Sequence, residues 1–324
     1  MENRLMTPKR IFGAKLKNHT KLMESQSGGA FTAIAEYFLK RKGIVYGCGT
    51  DADLNVIYKR IENIDELKLI KGSKYVQAKL NDTFKHIEED LDNGHIVLFS
   101  GTPCYVAAVK ELVAFNKNKK NLYTIDIICH GVPSPLIYKT YLEELETLNR
   151  SKISQFIFRD KIGGGWNKHM EKIIYENSMN EIREDYTKIF YTNLSLRPSC
   201  GKCKFACVDR VADFTVGDFW GVQNKFPEFY DERGVSIVFL NSERAINIWS
   251  EVSNTLEIIE TDIEHAMQPN LIAASKIPKF KKIFWNDFRK KGAIYCAKKW
   301  PPIIEFPITL KTKLKKIIKH IINR

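Results

Sequence analysis

One pattern occurs twice in this chain and limits its fold more than any other feature. "HIVLF" is short and continuously apolar, ends in the turn "SGTP", and gives way to the helix-forming run "CYVAAVKELV". "NLYTIDIIC" repeats the sequence of events, with the turn "HGVPSP" and then "LIYKTYLEELETL". An uninterrupted apolar strand suits burial on both faces, and strands alternating with helices predict a parallel sheet covered by helices. Upstream, "SGGAFTAIAEYFLKRKG" predicts a helix with Phe31, Ile34, Ala35, Phe38 and Leu39 on one face and Gly43 after its last turn. "IVYGCG" and "NVIYKRI" read as strands, and residues 82–93 as a helix. After Ser151 the order is mixed: "ISQFIFR", "DFTVGD" and "GVSIVFL" read as strands, with a helix near 242–254. The expected class is α/β. It has a largely parallel sheet with flanking helices in the N-terminal half, a mixed α+β C-terminal part and a basic helical tail.

Charge divides the chain. Residues 275–324 hold fifteen Lys or Arg against two Asp or Glu, while residues 1–274 hold 36 of each sign. A nucleic-acid enzyme carries basic residues through its folded body, so nucleic acid is not an expected partner. In "ITLKTKLKKIIKHIINR" a stripe of Leu and Ile faces away from lysines. That pattern suits a terminal helix packed on its own body, or one lying on an anionic membrane surface. The expected organisation is an N-terminal extension over 1–24, a catalytic domain over 25–274 and the basic segment 275–324. No apolar run approaches the ~18 residues needed to span a bilayer. The charged opening "MENRLMTPKRIFGAKLKN" shows no secretory signal. The expected location is cytoplasmic, with peripheral membrane contact through the tail. Seven cysteines in such a chain are expected to be free, metal-bound or catalytic rather than disulfide-paired.

Three of those cysteines fall within "CGKCKFAC". Cys200 and Cys203 form a C-x2-C pair, which lets two thiolates from one turn reach a single centre. Alone, that pair is equally half a zinc site, a redox dithiol or a coincidence. Cys104 opens a helix after a buried strand, where free N–H groups stabilise a thiolate. Cys129 closes the next strand, just before His130. If the two strands are parallel neighbours, both cysteines reach the sheet edge where α/β proteins bind ligands. Four thiolates are the usual complement of a 4Fe–4S cluster and also suit zinc. Cys207 is an alternate ligand. Cys48 and Cys296 have no paired context.

Glycine-rich turns supply further candidates. "SQSGGAF" puts Gly28 and Gly29 at a helix start, where N–H groups can meet a phosphate or simply cap a turn. "KGSKYVQ" offers Ser73, Lys74 and Tyr75, and "GTP" offers Gly101 and Thr102. Asp218, in "VGDFWG", is suited to hydrogen-bond a heterocycle or to cap its turn.

Taken together, "SQSGGAFTAIAEYFL", "GSKYVQ", "VLFSGTPC", "DIICHGVPSP" and "RPSCGKC…ADFTVGDFWG" resemble, in order, the beta subunit of coenzyme F420-reducing hydrogenase and its dehydrogenase relatives. The resemblance covers roughly residues 25 to 240. It implies a flavoprotein with FAD and one 4Fe–4S cluster on Cys104, Cys129, Cys200 and Cys203. It also implies flavin contacts from Gly28, Gly29, Ser73, Lys74 and Tyr75, beside which Gly101 and Thr102 stand as further cofactor-binding candidates. Many relatives carry an N-terminal ferredoxin-like stretch with further cysteines, whereas the first cysteine here is Cys48. An external electron carrier such as ferredoxin is therefore expected. Similar bacterial proteins look associated with surface-polysaccharide synthesis, so the small-molecule substrate need not be coenzyme F420.

The expected activity is that of a flavin-dependent oxidoreductase. Hydride would pass between substrate and flavin while the cluster relays single electrons. His130 and Asp218 are the candidate catalytic residues. His130 is suited to tune the cluster or move a proton, or to be a satisfied strand-end histidine. Two other classes stay open: a non-catalytic electron-transfer subunit, and a zinc-stabilised interaction protein.

Overall fold

The computed structural model describes residues 5–303; the amphipathic stretch 308–324 lies outside them. Eleven strands are present among the described residues: β1 (Arg10–Leu16), β2 (Ile44–Thr50), β3 (Val56–Ile61), β4 (Val97–Gly101), β5 (Leu122–Ile127), β6 (Ile153–Ile157), β7 (Glu171–Tyr175), β8 (Asn180–Arg183), β9 (Phe214–Asp218), β10 (Ser236–Leu240) and β11 (Leu256–Thr261).

Eight strands form one sheet in the order β11-β1-β10-β9-β5-β4-β2-β3. Its centre, β2-β4-β5-β9, is parallel. The margins β9-β10-β1-β11 and β2-β3 are antiparallel. β4 and β5 are the two apolar strands of the repeated pattern. Val97, Leu98, Phe99 and Ile125 are sealed from solvent, as a strand covered on both faces requires. The helices Pro103–Leu112 and Ala30–Leu39 lie along the sheet, the first starting on Pro103 at a position that needs no N–H.

β1 belongs to the stretch expected as an N-terminal extension, yet it pairs with both β10 and β11 inside the sheet. Its apolar residues Ile11, Phe12, Ala14 and Leu16 are buried. The start of the basic segment also belongs to the body: the helix Lys281–Lys299 buries Phe284, Phe288, Ala293 and Cys296. That helix is two pieces meeting at Gly292 (φ 83°, ψ −174°). The carboxylate of Glu144 accepts from the N–H groups of Ala293 and Ile294 at 2.7 and 2.8 Å, so it caps the second piece.

The connection from β5 to β9 holds the helix Pro135–Asn149, the small antiparallel sheet β6-β7-β8, and the loop with Cys200 and Cys203. It returns that loop to the C-terminal ends of the parallel strands.

Candidate functional site: a cysteine-lined sheet edge

β4 and β5 run side by side with Gly101 level with Asp126. Cys104 and Cys129 each lie three residues beyond that aligned pair, so both emerge at one edge. Cys104 is exposed and Cys129 half-buried. The C-x2-C turn is folded onto the same edge. The backbone N–H of Val132 points to the sulfur of Cys200 at 3.5 Å. A Cβ on Gly131 (φ 140°) would come within 3.3 Å of Cys200 Cβ, so the chain passes here at close range. Loss of solvation pushes the Cys129 thiol up to about 12, and the thiols of Cys104, Cys200 and Cys203 push it the same way. Burial likewise raises Cys200, with Cys104 and Cys203 as electrostatic neighbours. Cys104, Cys200 and Cys203 are thus electrostatic neighbours of Cys129. Among the described residues, no three His, Cys, Asp or Glu side chains crowd closely enough to surround a single metal ion.

A buried arginine, which the sequence reading missed, brings the loop to the strand. Arg210 donates to Asp126 Oδ1 and to the carbonyl of Ile127 on β5, at 3.0 and 3.1 Å. It also donates to the carbonyls of Phe205 and Cys207 on the loop, both at 3.1 Å. Cys207 turns its thiol to the carbonyl of Asp209 at 3.2 Å. Cys48, which lacked context in the sequence, sits on β2 at the same edge. Burial raises its thiol, opposed by the Lys74 ammonium. Cys296 is buried in the C-terminal helix.

His130 is fully engaged. Its Nε2 meets Asn193 Oδ1 at 2.6 Å and its Nδ1 meets Ser275 Oγ at 3.3 Å. Phe190 and Tyr191 pack on the ring, and burial lowers its pKa, favouring the neutral imidazole. Asp218 ends β9 beside β5 and has both oxygens occupied. Oδ2 accepts from Arg159 and Oδ1 from the Trp166 indole, each at 2.7 Å. Trp166 stacks on Trp220 at 5.3 Å, and Arg159 lies over the Trp220 ring.

The predicted flavin residues divide between two places. Gly28 is wedged against β1 and β10: an added Cβ would lie 2.0 Å from the Ala14 carbonyl oxygen and 2.6 Å from the Ser236 nitrogen. Gly29 (φ 80°) starts the helix Ala30–Leu39. Beneath this turn the buried Lys161 amine donates to the carbonyls of Leu22 and Ser27 at 2.7 and 2.6 Å. Burial, then repulsion from Arg159, brings it down to about 7. The Lys74 amine donates to the carbonyls of Lys71 and Gly72, and burial lowers it to about 8. The Tyr75 ring packs against His169, Phe158 and Phe190. Burial raises its phenol, and Arg159 and Asp218 are among its electrostatic neighbours. The two glycines are used by chain packing. Gly101 and Thr102 stand between β4 and Cys104, and Thr102 Oγ1 lies 3.2 Å from the Cys104 sulfur. Arg159, Lys161, Trp166 and Arg210 had no sequence signal, since the groups they reach across the fold, at Asp218, Leu22 and Asp126, lie 52 to 139 residues away.

Residues 94–266 match the family model for the C terminus of the coenzyme F420 hydrogenase/dehydrogenase beta subunit. The chain belongs to that family. The matched span contains Cys104, Cys129, Cys200, Cys203, His130, Arg159, Arg210 and Asp218. The fold is similar to that of a solved chain from the F420-reducing [NiFe] hydrogenase complex of Methanosarcina barkeri. Identity is 17%, 91% of each chain is covered and the TM-score is 0.54. No curated protein matches by sequence. Membership in the beta-subunit family gives the chain the character of an electron-transfer protein of oxidoreductase type. No helix among the described residues is long and apolar enough to cross a membrane.

Proposed function

We propose that this chain is an iron–sulfur flavoprotein oxidoreductase. It binds a 4Fe–4S cluster on Cys104, Cys129, Cys200 and Cys203, with FAD nearby, and exchanges electrons with a small molecule and a separate protein carrier. The observation that supports the reading is that Cys104 and Cys129 follow parallel strands to one sheet edge and that the Cys200 turn is folded onto it. The donor set fits, because four cysteines are what such a cluster takes. When bound, cluster and flavin together exchange one-electron for two-electron chemistry.

The chain's own residues have defined tasks in this reading. Arg210 holds the cysteine loop against β5. His130, neutral and held by Asn193 and Ser275, fixes the turn after Cys129 and can pass a proton only by breaking one of those bonds. Asp218 is locked in place by Arg159 and Trp166. FAD is proposed from the resemblance of the "SGG" and "GSKY" segments, with Tyr75, Ser73 and Lys74 as its contacts. The substrate is a small hydride donor or acceptor, and a role in surface-polysaccharide synthesis agrees with the resemblance. The site is cytoplasmic in this reading, and residues 308–324 give peripheral contact with an anionic membrane face.

Iron, sulfide and flavin content after oxygen-free purification tests the proposal. About four iron, four sulfide and one flavin per chain are expected, with loss of iron in Cys203→Ser. A colourless protein holding one zinc would reject it. A second reading, an electron-transfer subunit with no substrate of its own, draws support from the exposed Cys104. The solved neighbour also belongs to a hydrogenase complex. Flavin reduction by a small donor without any partner separates the two.

A further inference from the structure

Two segments that meet at the cysteine edge carry charge of one sign. Residues 195–208 and 267–286 together contain seven Lys or Arg and no Asp or Glu. They are in contact. The Lys281 amine donates to the carbonyl of Leu196, and Asn193 Nδ2 to that of Lys276. A Cβ on Gly201 would come within 2.7 Å of the Ile277 side chain. Six of the seven cations, Arg197, Lys202, Lys204, Lys276, Lys279 and Lys282, are exposed. None of the six takes part in an ion pair among the described residues. The same stretch exposes Ile272, Phe280 and Ile283 at 67, 59 and 51%. Arg197 acts electrostatically on both Cys200 and Tyr105, the neighbour of the exposed Cys104.

We infer that this lysine-bearing face around the cysteine edge is the docking surface for a small acidic redox protein. The inference rests on the proposed function for the meaning of the edge, and names the partner that edge serves. Unpaired cations of one sign raise the encounter rate with an acidic partner and fix its orientation. Exposed apolar side chains supply the core of such an interface, and a charged rim surrounds it. The orientation brings the partner's own centre to the side where Cys104 opens to solvent. The chain's tail is a poor occupant, because residues 304–324 add further positive charge.

Calorimetric titration of the full chain with an acidic plant-type ferredoxin tests the inference. At about 20 mM salt binding is expected, weakening at least ~10-fold by 300 mM as screening shortens the electrostatic range. Lys202→Glu/Lys204→Glu/Lys276→Glu should weaken it by ~10-fold or more. Lys117→Glu/Lys119→Glu/Lys120→Glu, the same charge change ahead of β5 at the opposite end of the strand, should not. No binding at low salt, or equal loss in both variants, would overturn the docking face. So would binding to anionic vesicles that depends on Lys202, Lys204 and Lys276 without any ferredoxin binding. Iron measured on the same samples reads the proposed function separately. A metal-free protein sinks that reading and leaves the binding curve to be judged by itself.

Discussion

Arg210 and Asp126 form an ion pair at 3.0 Å with side chains 1% and 0% exposed, one on the cysteine loop and the other on the central strand β5. Removing one partner of a buried pair leaves a lone charge in a poorly solvating interior. Arg210→Met is expected to lose about 3–5 kcal/mol in urea unfolding. Arg210→Met with Asp126→Leu should recover part of that loss. Both variants should bind iron less well than the parent, because the carbonyls of Phe205 and Cys207 lose their anchor.

Cys207 lies four residues past Cys203 but turns its thiol to a backbone carbonyl. Cys207→Ala is expected to keep its full iron content after oxygen-free purification, whereas Cys203→Ser loses it. Equal loss in both would mean the ligand set is different.

Gly28 admits no side chain. The atoms that a Cβ would strike at 2.0 and 2.6 Å are backbone atoms of Ala14 and Ser236, which cannot rotate aside. Gly28→Ala should cost about 4 kcal/mol or more, seen as a fall in thermal midpoint or loss of soluble protein. At Gly94 (φ 82°) a Cβ meets open space. Gly94→Ala should cost only about 1 kcal/mol, from the left-handed backbone.

Lys161 makes stability depend on alkaline pH. Its amine falls from the ordinary 10.5 to about 7 in the folded chain, chiefly through burial. Between those values the unfolded chain binds the proton and the folded chain does not, so stability rises with pH from about 7 to about 10.5. The parent minus Lys161→Met difference in unfolding free energy should grow across that window, by about 5 kcal/mol at most. A flat difference would show that the amine stays charged when folded.

Glu171 acts in the opposite direction. It is fully buried, accepts from Tyr141 Oη and the Thr187 N–H, and burial raises it from 4.5 to about 7. The folded chain holds the proton where the unfolded one releases it, so this contribution to stability is lost as pH rises from about 4.5 to about 7. Glu171→Gln should remove that slope from urea midpoints measured across the same range.

The central strands, and the shared sheet edge at which β4 and β5 end, were legible because they depend on local cues. Continuous apolar runs, turns and helix starts fixed β4, β5 and the edge to which Cys104 and Cys129 belong. β1 was not legible: "RIFGAKL" is bounded by charges and has no neighbour in sequence to pair with, its partners being some 220 residues away. Arg210 with Asp126 and Arg159 with Asp218 join residues 84 and 59 apart, and one sequence gives no sign of such pairs. An aspartate inside the apolar run "TIDII" was the one available hint. The flavin residues divide similarly. Gly28 reads as a phosphate turn in sequence, but tight packing alone already demands glycine there.

The position of β1 between β10 and β11 also governs how the protein can be made. β1 leaves the ribosome well before its partners, which begin at Ser236 and Leu256. At about 5–20 residues per second that delay is on the order of ten seconds or more. For that interval the apolar face of residues 11–16 has no sheet to join, so nascent chains depend on something else to shield it.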